Sequence, residues 1–196
     1  MSMIDDCTGL VLAGGNSRRM RCDKTVLEFK GQTLLQRTVA LMQTIFPSVL
    51  VSVRSLRQDV TVPQVVDEYP DAGPLAGLCA GLAKVDTPWV FAAAADMPFL
   101  LPEVIRRLAE SREGVQAVVP VIQGCPQPLA AYYASSALPE LQVSLTMPGK
   151  HSLRGALERL TVCRVHDNRL QRVDPSLRSF IDLDTPDDVA AARLYE

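Results

Sequence analysis

Leu12-Ala13-Gly14-Gly15-Asn16-Ser17-Arg18-Arg19-Met20-Arg21-Cys22-Asp23-Lys24 follows the apolar run Gly9-Leu10-Val11-Leu12, and together they decide the fold. The apolar run reads as a buried first strand. Paired glycines carry no Cβ, so the backbone beyond that strand can approach a ligand closely. Arg18, Arg19, Arg21 and Lys24 then put four cations within seven residues. Backbone N–H groups beside clustered positive charge form a cradle for a polyphosphate. Neither standard phosphate pattern is present, because GxGxxG needs a third glycine and the P-loop needs a terminal GK[ST]. A strand-to-turn connection with a solvated basic face is the plainer alternative for this stretch.

Working outward, strands and helices alternate. Val26-Leu27-Glu28-Phe29 and Gly31 form a short hairpin-like excursion. From Thr33, the apolar positions Leu34, Leu35, Val39, Leu41, Met42 and Ile45 keep helical spacing until Pro47. Val49-Leu50-Val51-Ser52-Val53 is a second strand, and Val65-Val66 a short third one that ends at Asp67. Pro74 opens a helix carrying Leu75, Leu78, Leu82 and Val85 on one face. Trp89 to Ala95 is a continuous apolar run, as a central parallel strand requires, and it ends in Asp96-Met97-Pro98. Pro102 and Glu103 open the next helix. Ala117-Val118-Val119-Pro120-Val121 is a strand whose proline predicts an edge or a bulge. Gln127 to Tyr133 is another strand, Leu153 to Leu160 is helical, and Thr161 to Val165 is the last strand. Thr185-Pro186-Asp187-Asp188 has the N-cap, proline and acids of a helix start. This pattern predicts an α/β fold: an open, mostly parallel, Rossmann-like sheet with helices on both faces, one domain over residues 1–196.

In such sheets ligands sit beyond the carboxyl ends of the strands, where the strand order reverses. An order beginning third-second-first-fourth makes the first strand and the Trp89 strand neighbours at that point. The Gly14-Gly15 loop, Asp67 and Asp96 then share one crevice: a phosphate cradle, an acid for base or ribose, and a carboxylate suited to a metal. The alternatives are a capping role for Asp96 and a loop start for Asp67-Glu68. His151 and His166 lie far from these motifs and read as structural or surface residues.

Several segments in order resemble the molybdenum cofactor guanylyltransferases. They are LAGGNSRRMRCDK, Asp67, Gly73 to Leu82 (GPLAGLCAGL), Ala94 to Leu100 (AADMPFL), Gln127 to Tyr133 (QPLAAYY) and Asp182 to Val189 (DLDTPDDV). The resemblance implies a nucleotidyltransferase that joins GMP from GTP to molybdopterin, releasing pyrophosphate. It implies that Leu12, Ala13, Gly14 and Gly15 bind the nucleotide, with Asp67 on the nucleoside side. Lys24 and Arg19 would hold phosphates, and Asp96 would hold Mg²⁺. Gln127, Pro128, Asp182 and Asp184 would line the pterin side. The chain departs from the family at Arg21, where glycine is usual, at the acids Asp182 and Asp184, and around Ser52, where asparagine is common. A cofactor cytidylyltransferase, a sugar-phosphate nucleotidyltransferase and a non-catalytic nucleotide-binding partner of cofactor insertion are the competing readings.

Composition narrows the field. Of 196 residues 47% are hydrophobic and 21% charged, with net charge −2, which suits a folded globular chain. The basic loop therefore stands on an acidic background and points to a local anion, not to nucleic acid, which needs a broad basic face. The five cysteines show no CxxC pair, as expected of reduced thiols in the cytoplasm. No stretch has membrane-spanning length, so no membrane partner is expected. Transient contact with cofactor-insertion proteins or molybdoenzymes is the expected protein partnership.

Overall fold

The computed structural model describes residues 2–14, 26–29, 31–67, 69, 72–147, 151–183, 188, 190 and 192. Strand β1 (Cys7–Leu12) is wholly buried. The hairpin β2 (Glu28–Phe29) and β3 (Gln32–Thr33) follows, turning through Gly31 at φ 77°. Helix α1 (Leu34–Gln43) starts from Thr33, whose hydroxyl accepts from Gln36 N–H while the Gln36 side chain accepts from Thr33 N–H. Such a capping box satisfies two helix-end donors and is worth about 1 kcal/mol. Strand β4 (Ser48–Val53) and the short β5 (Gln64–Val66) come next.

Helix α2 (Pro74–Lys84) leads into β6 (Trp89–Ala94), and α3 (Pro102–Ala109) into β7 (Ala117–Ile122). The remainder is β8 (Cys125–Pro126), β9 (Ala130–Ala134), α4 (Leu138–Thr146), α5 (Leu153–Ala156), β10 (Val162–His166) and α6 (Asp167–Leu170). The α4 helix has no counterpart in the sequence expectations. The predicted helix at Leu153 to Leu160 is split, its second half a 3-10 turn over Leu157–Arg159. Of the predicted final helix, Asp188, Ala190 and Ala192 are helical, and residues 185–187 lie outside the described residues.

Apart from the β2–β3 hairpin, the strands form one sheet in the order β10-β7-β9-β6-β1-β4-β5, with β8 alongside β7. The β5-β4-β1-β6 half is parallel throughout and has the expected third-second-first-fourth order. Only β9 and the short β8 run against their neighbours, so the sheet is mostly parallel and open. Alternate residues of each strand serve opposite faces. Val11, Phe91 and Ala93 pack with Leu35 and Met42 of α1 and Val104, Ile105 and Leu108 of α3. Leu10, Val90 and Ala92 pack with Leu75, Leu78 and Leu82 of α2 and Leu141 and Leu145 of α4.

Pro120 corrects one expectation, since β7 lies inside the sheet, between β10 and β9. β9 pairs with Ala117 and Val118, and β8 pairs with Val121 and Ile122. Pro120 falls in the gap between them, where its missing N–H breaks no rung, and its carbonyl accepts from Gln127 N–H at 2.8 Å. Among the described residues no helix is long and apolar enough to cross a membrane.

Candidate active site

Ala13 and Gly14, where the first loop leaves the sheet, are held by their neighbours. Ala13 N–H donates to Ser52 O at 2.9 Å, and Ala95 N–H donates to Leu12 O at 3.3 Å. The ends of β4 and β6 thus hold the end of β1 from both sides, and main-chain bonds at a parallel switch point leave the crevice open above. Beyond Ala13, the Arg54 Nε–H donates to the Gly14 carbonyl at 2.7 Å. A Cβ on Gly14 would stand 3.6 Å from Asp67 Oδ2 and 3.6 Å from Arg54 Cγ, so the loop, the acid and the cation are immediate neighbours.

Asp67 follows β5 and is partly buried. Burial pushes its carboxyl above the ordinary value, while the Arg54 charge and a bond from Tyr69 N–H pull it back down. Gly14 and Asp67, expected on one carboxyl edge, are thus neighbours. Asp96 follows β6, one residue past the Ala95 that bonds Leu12, on the same carboxyl edge. The helix it precedes is capped at Leu101, whose N–H donates to Ser179 Oγ at 3.1 Å, so Asp96 does not cap α3.

The segments expected on the pterin side also reach this edge. Ala94 N–H donates to Leu129 O at 3.0 Å, which sets the Gln127–Leu129 turn beside the end of β6. The predicted strand begins only at Ala130. The buried Tyr133 hydroxyl donates to Pro128 O at 2.8 Å and fixes that turn from below. Leu183 N–H donates to Asp96 O at 3.0 Å, bringing the exposed Asp182 to the Asp96 loop. Gly15, Arg19, Arg21, Lys24 and Asp184 lie outside the described residues.

Behind the Asp96 loop a cleft of about 660 Å³ opens between α1 and residues 174–178, lined by Arg37, Thr38, Met97, Pro98, Phe99 and Arg178. Thr38 Oγ donates to Ala95 O at 3.2 Å and anchors α1 against the strand end. His151 Nδ1 pairs with Ser144 O, and His166 ends β10, at the end of the sheet opposite β5. Arg54 has no counterpart in the sequence expectations, although a cation at the carboxyl end of a parallel strand is a usable signal.

A parallel switch point carrying a glycine-rich loop and two strand-end acids defines a nucleotide-handling α/β protein of the nucleotidyltransferase class. The MobA-like NTP transferase domain family matches residues 9–165, and the chain belongs to that family. It is 35% identical to a probable molybdenum cofactor guanylyltransferase of Chloroflexus aggregans, over 96% of this chain and 94% of that one. A relative of the same name from Methanosarcina mazei is 34% identical over 93% of this chain and 88% of its own. The crystal structure of molybdopterin-guanine dinucleotide biosynthesis protein A from Archaeoglobus fulgidus superposes with TM-score 0.84 at 30% identity, covering 96% and 97% of the two chains.

Proposed function

We propose that this chain transfers the guanylyl group of GTP to molybdopterin, forming the guanine dinucleotide form of the molybdenum cofactor. The observation that carries the reading is the convergence of Leu12 to Gly14, Asp67 and Asp96 on one sheet edge, in a member of the MobA-like family. The terminal phosphate of molybdopterin attacks the α-phosphorus of GTP, and the bond to the bridging β-phosphate oxygen breaks as pyrophosphate leaves. No protein nucleophile is needed, so the chain's work is positioning and charge neutralisation.

In this reading the Leu12 to Gly15 backbone lies along the nucleotide, and Asp67 accepts from the nucleoside. Lys24 and Arg19 offset charge on the departing pyrophosphate. Gln127, Pro128, Asp182 and Asp184 face the pterin. Magnesium keeps several waters and takes one or two carboxylates together with substrate phosphates. One partly exposed carboxylate at a strand end suits that habit, and among the described residues no cluster of three or more His, Cys, Asp or Glu gathers to suit a caged metal. Asp96 is the residue that would hold Mg²⁺, which when bound supplies positive charge at the phosphate oxygens. A cytoplasmic setting is part of this reading.

Incubation with GTP, Mg²⁺ and molybdopterin should release pyrophosphate in step with dinucleotide formation. GTP binding with no transfer under any metal condition would instead favour a non-catalytic carrier.

A further inference from the structure

We propose that Arg54 is a positioning residue for nucleotide binding: by bonding Gly14 beside Asp67, it fixes the loop entrance on the nucleoside side. This rests on the guanylyl-transfer reading and adds a residue to it. The geometry is a cross-strand clamp. Arg54 sits just past β4, which lies between β1 and β5 in the sheet. From there its side chain reaches the carbonyl of Gly14, beyond β1, at 2.7 Å. The Asp67 carboxylate, beyond β5, abuts the same Gly14.

The two jobs need different parts of the guanidinium. Holding the Gly14 carbonyl needs a directed N–H, which the rigid fork supplies and a flexible ammonium does not. Countering the burial of Asp67 needs only the positive charge. Among the described residues, Arg54 is the only charged side chain that acts on Asp67, and the other opposing influence is the Tyr69 backbone N–H. An Asp67 that accepts from the nucleoside through both carboxylate oxygens must be ionised, so charge at Arg54 sets the acid limit of binding.

The test is GTP binding by the full chain from about pH 5 to 8, with Asp67→Asn as the baseline that carries the nucleotide's own titration. Relative to that baseline, wild-type affinity should fall on acidification. In Arg54→Gln the fall should begin at a higher pH, since an opposing charge is lost. Arg54→Lys should restore the midpoint yet still bind GTP severalfold more weakly at the alkaline end. Placing Arg54→Gln on the Asp67→Asn background should leave the pH profile unmoved. Circular dichroism at each pH keeps unfolding separate from binding. Arg54→Gln and Arg54→Lys curves that superimpose on wild type would overturn the role of Arg54 alone. A wild-type chain that binds no nucleoside triphosphate would overturn this proposal and the guanylyl-transfer reading together.

Discussion

The Leu183 N–H donates to the Asp96 carbonyl at 3.0 Å, so the segment after the last strand is tied to the loop at the end of the central strand. Leu183 is buried against Phe29 and Leu34, which seats that segment over the β2–β3 hairpin. Asp96 is thus positioned through its backbone, from β6 on one side and from Leu183 on the other. In the proposed reading its side chain serves the chemistry at the crevice.

That separation predicts the behaviour of Asp96→Asn. The backbone carbonyl and its bond from Leu183 persist, so the melting temperature should stay within about 4 °C of wild type. In the proposed reading the variant holds Mg²⁺ less well beside the phosphates, and kcat should drop by about a hundredfold or more. Raising Mg²⁺ should recover part of the loss. Normal turnover in the variant would remove Asp96 from the site.

Asp67→Asn should trade function for stability. The folded-state carboxyl of Asp67 is raised above its ordinary value, with burial the largest cause. The folded chain therefore holds that proton more tightly than the unfolded chain, and stability falls as pH rises from below the unfolded value through the raised one. Asparagine escapes this cost, so its melting-temperature advantage over wild type should grow between about pH 4 and pH 7. In the proposed reading its kcat/KM for GTP should meanwhile fall by about tenfold or more, as one of two acceptor oxygens becomes an NH2 donor facing nucleoside donors. An advantage that shrinks with rising pH would reverse the sign of the burial effect.

Much of the site could be read from sequence because acids directly after apolar runs mark strand ends, as at Asp67 and Asp96. The run Trp89 to Ala95 likewise announced a strand covered on both faces. Helix α4 carries Leu138, Leu141 and Leu145 at helical spacing behind Pro139, a short pattern that follows the 3-10 turn at Ser135–Ala137 and is easily passed over. The reversed direction of β9 was equally hidden, since an apolar run such as Ala130 to Tyr133 does not encode its partner's direction. Arg54 escaped notice because its meaning depends on register between three strands, which no local pattern carries.

Two glycines of α2 should separate packing from binding. A Cβ on Gly81 would lie 2.5 Å from Leu10 Cδ2, in the fully buried central strand. Gly81→Ala should therefore destabilise the fold by about 1–2 kcal/mol, overpacking outweighing the gain in helix propensity, with KM for GTP unchanged. A Cβ on Gly77 would lie 2.6 Å from Ser52 Oγ and 3.0 Å from Leu12 Cδ2. Gly77→Ala pushes on the residues that hold the loop entrance, and KM for GTP should rise severalfold. Thermal melts and steady-state kinetics on both variants check the split.

Tyr133→Phe keeps the ring and removes the donor to Pro128 O. The carbonyl loses a buried partner at 2.8 Å, which costs about 1 kcal/mol. Unfolding by denaturant should show that loss with an unchanged m-value. If Gln127 and Pro128 face the pterin, KM for molybdopterin should rise while KM for GTP does not. A change confined to GTP would move this turn to the nucleotide side.

The central claim, guanylyl transfer to molybdopterin, is tested most directly by competition between nucleotides. Equal GTP and CTP are supplied with limiting molybdopterin and Mg²⁺, and the dinucleotide products are resolved by mass spectrometry. The account predicts the guanine dinucleotide in at least about tenfold excess, equivalent to ~1.4 kcal/mol of discrimination. An equal or larger yield of the cytosine dinucleotide, or no dinucleotide while GTP is bound, would contradict it.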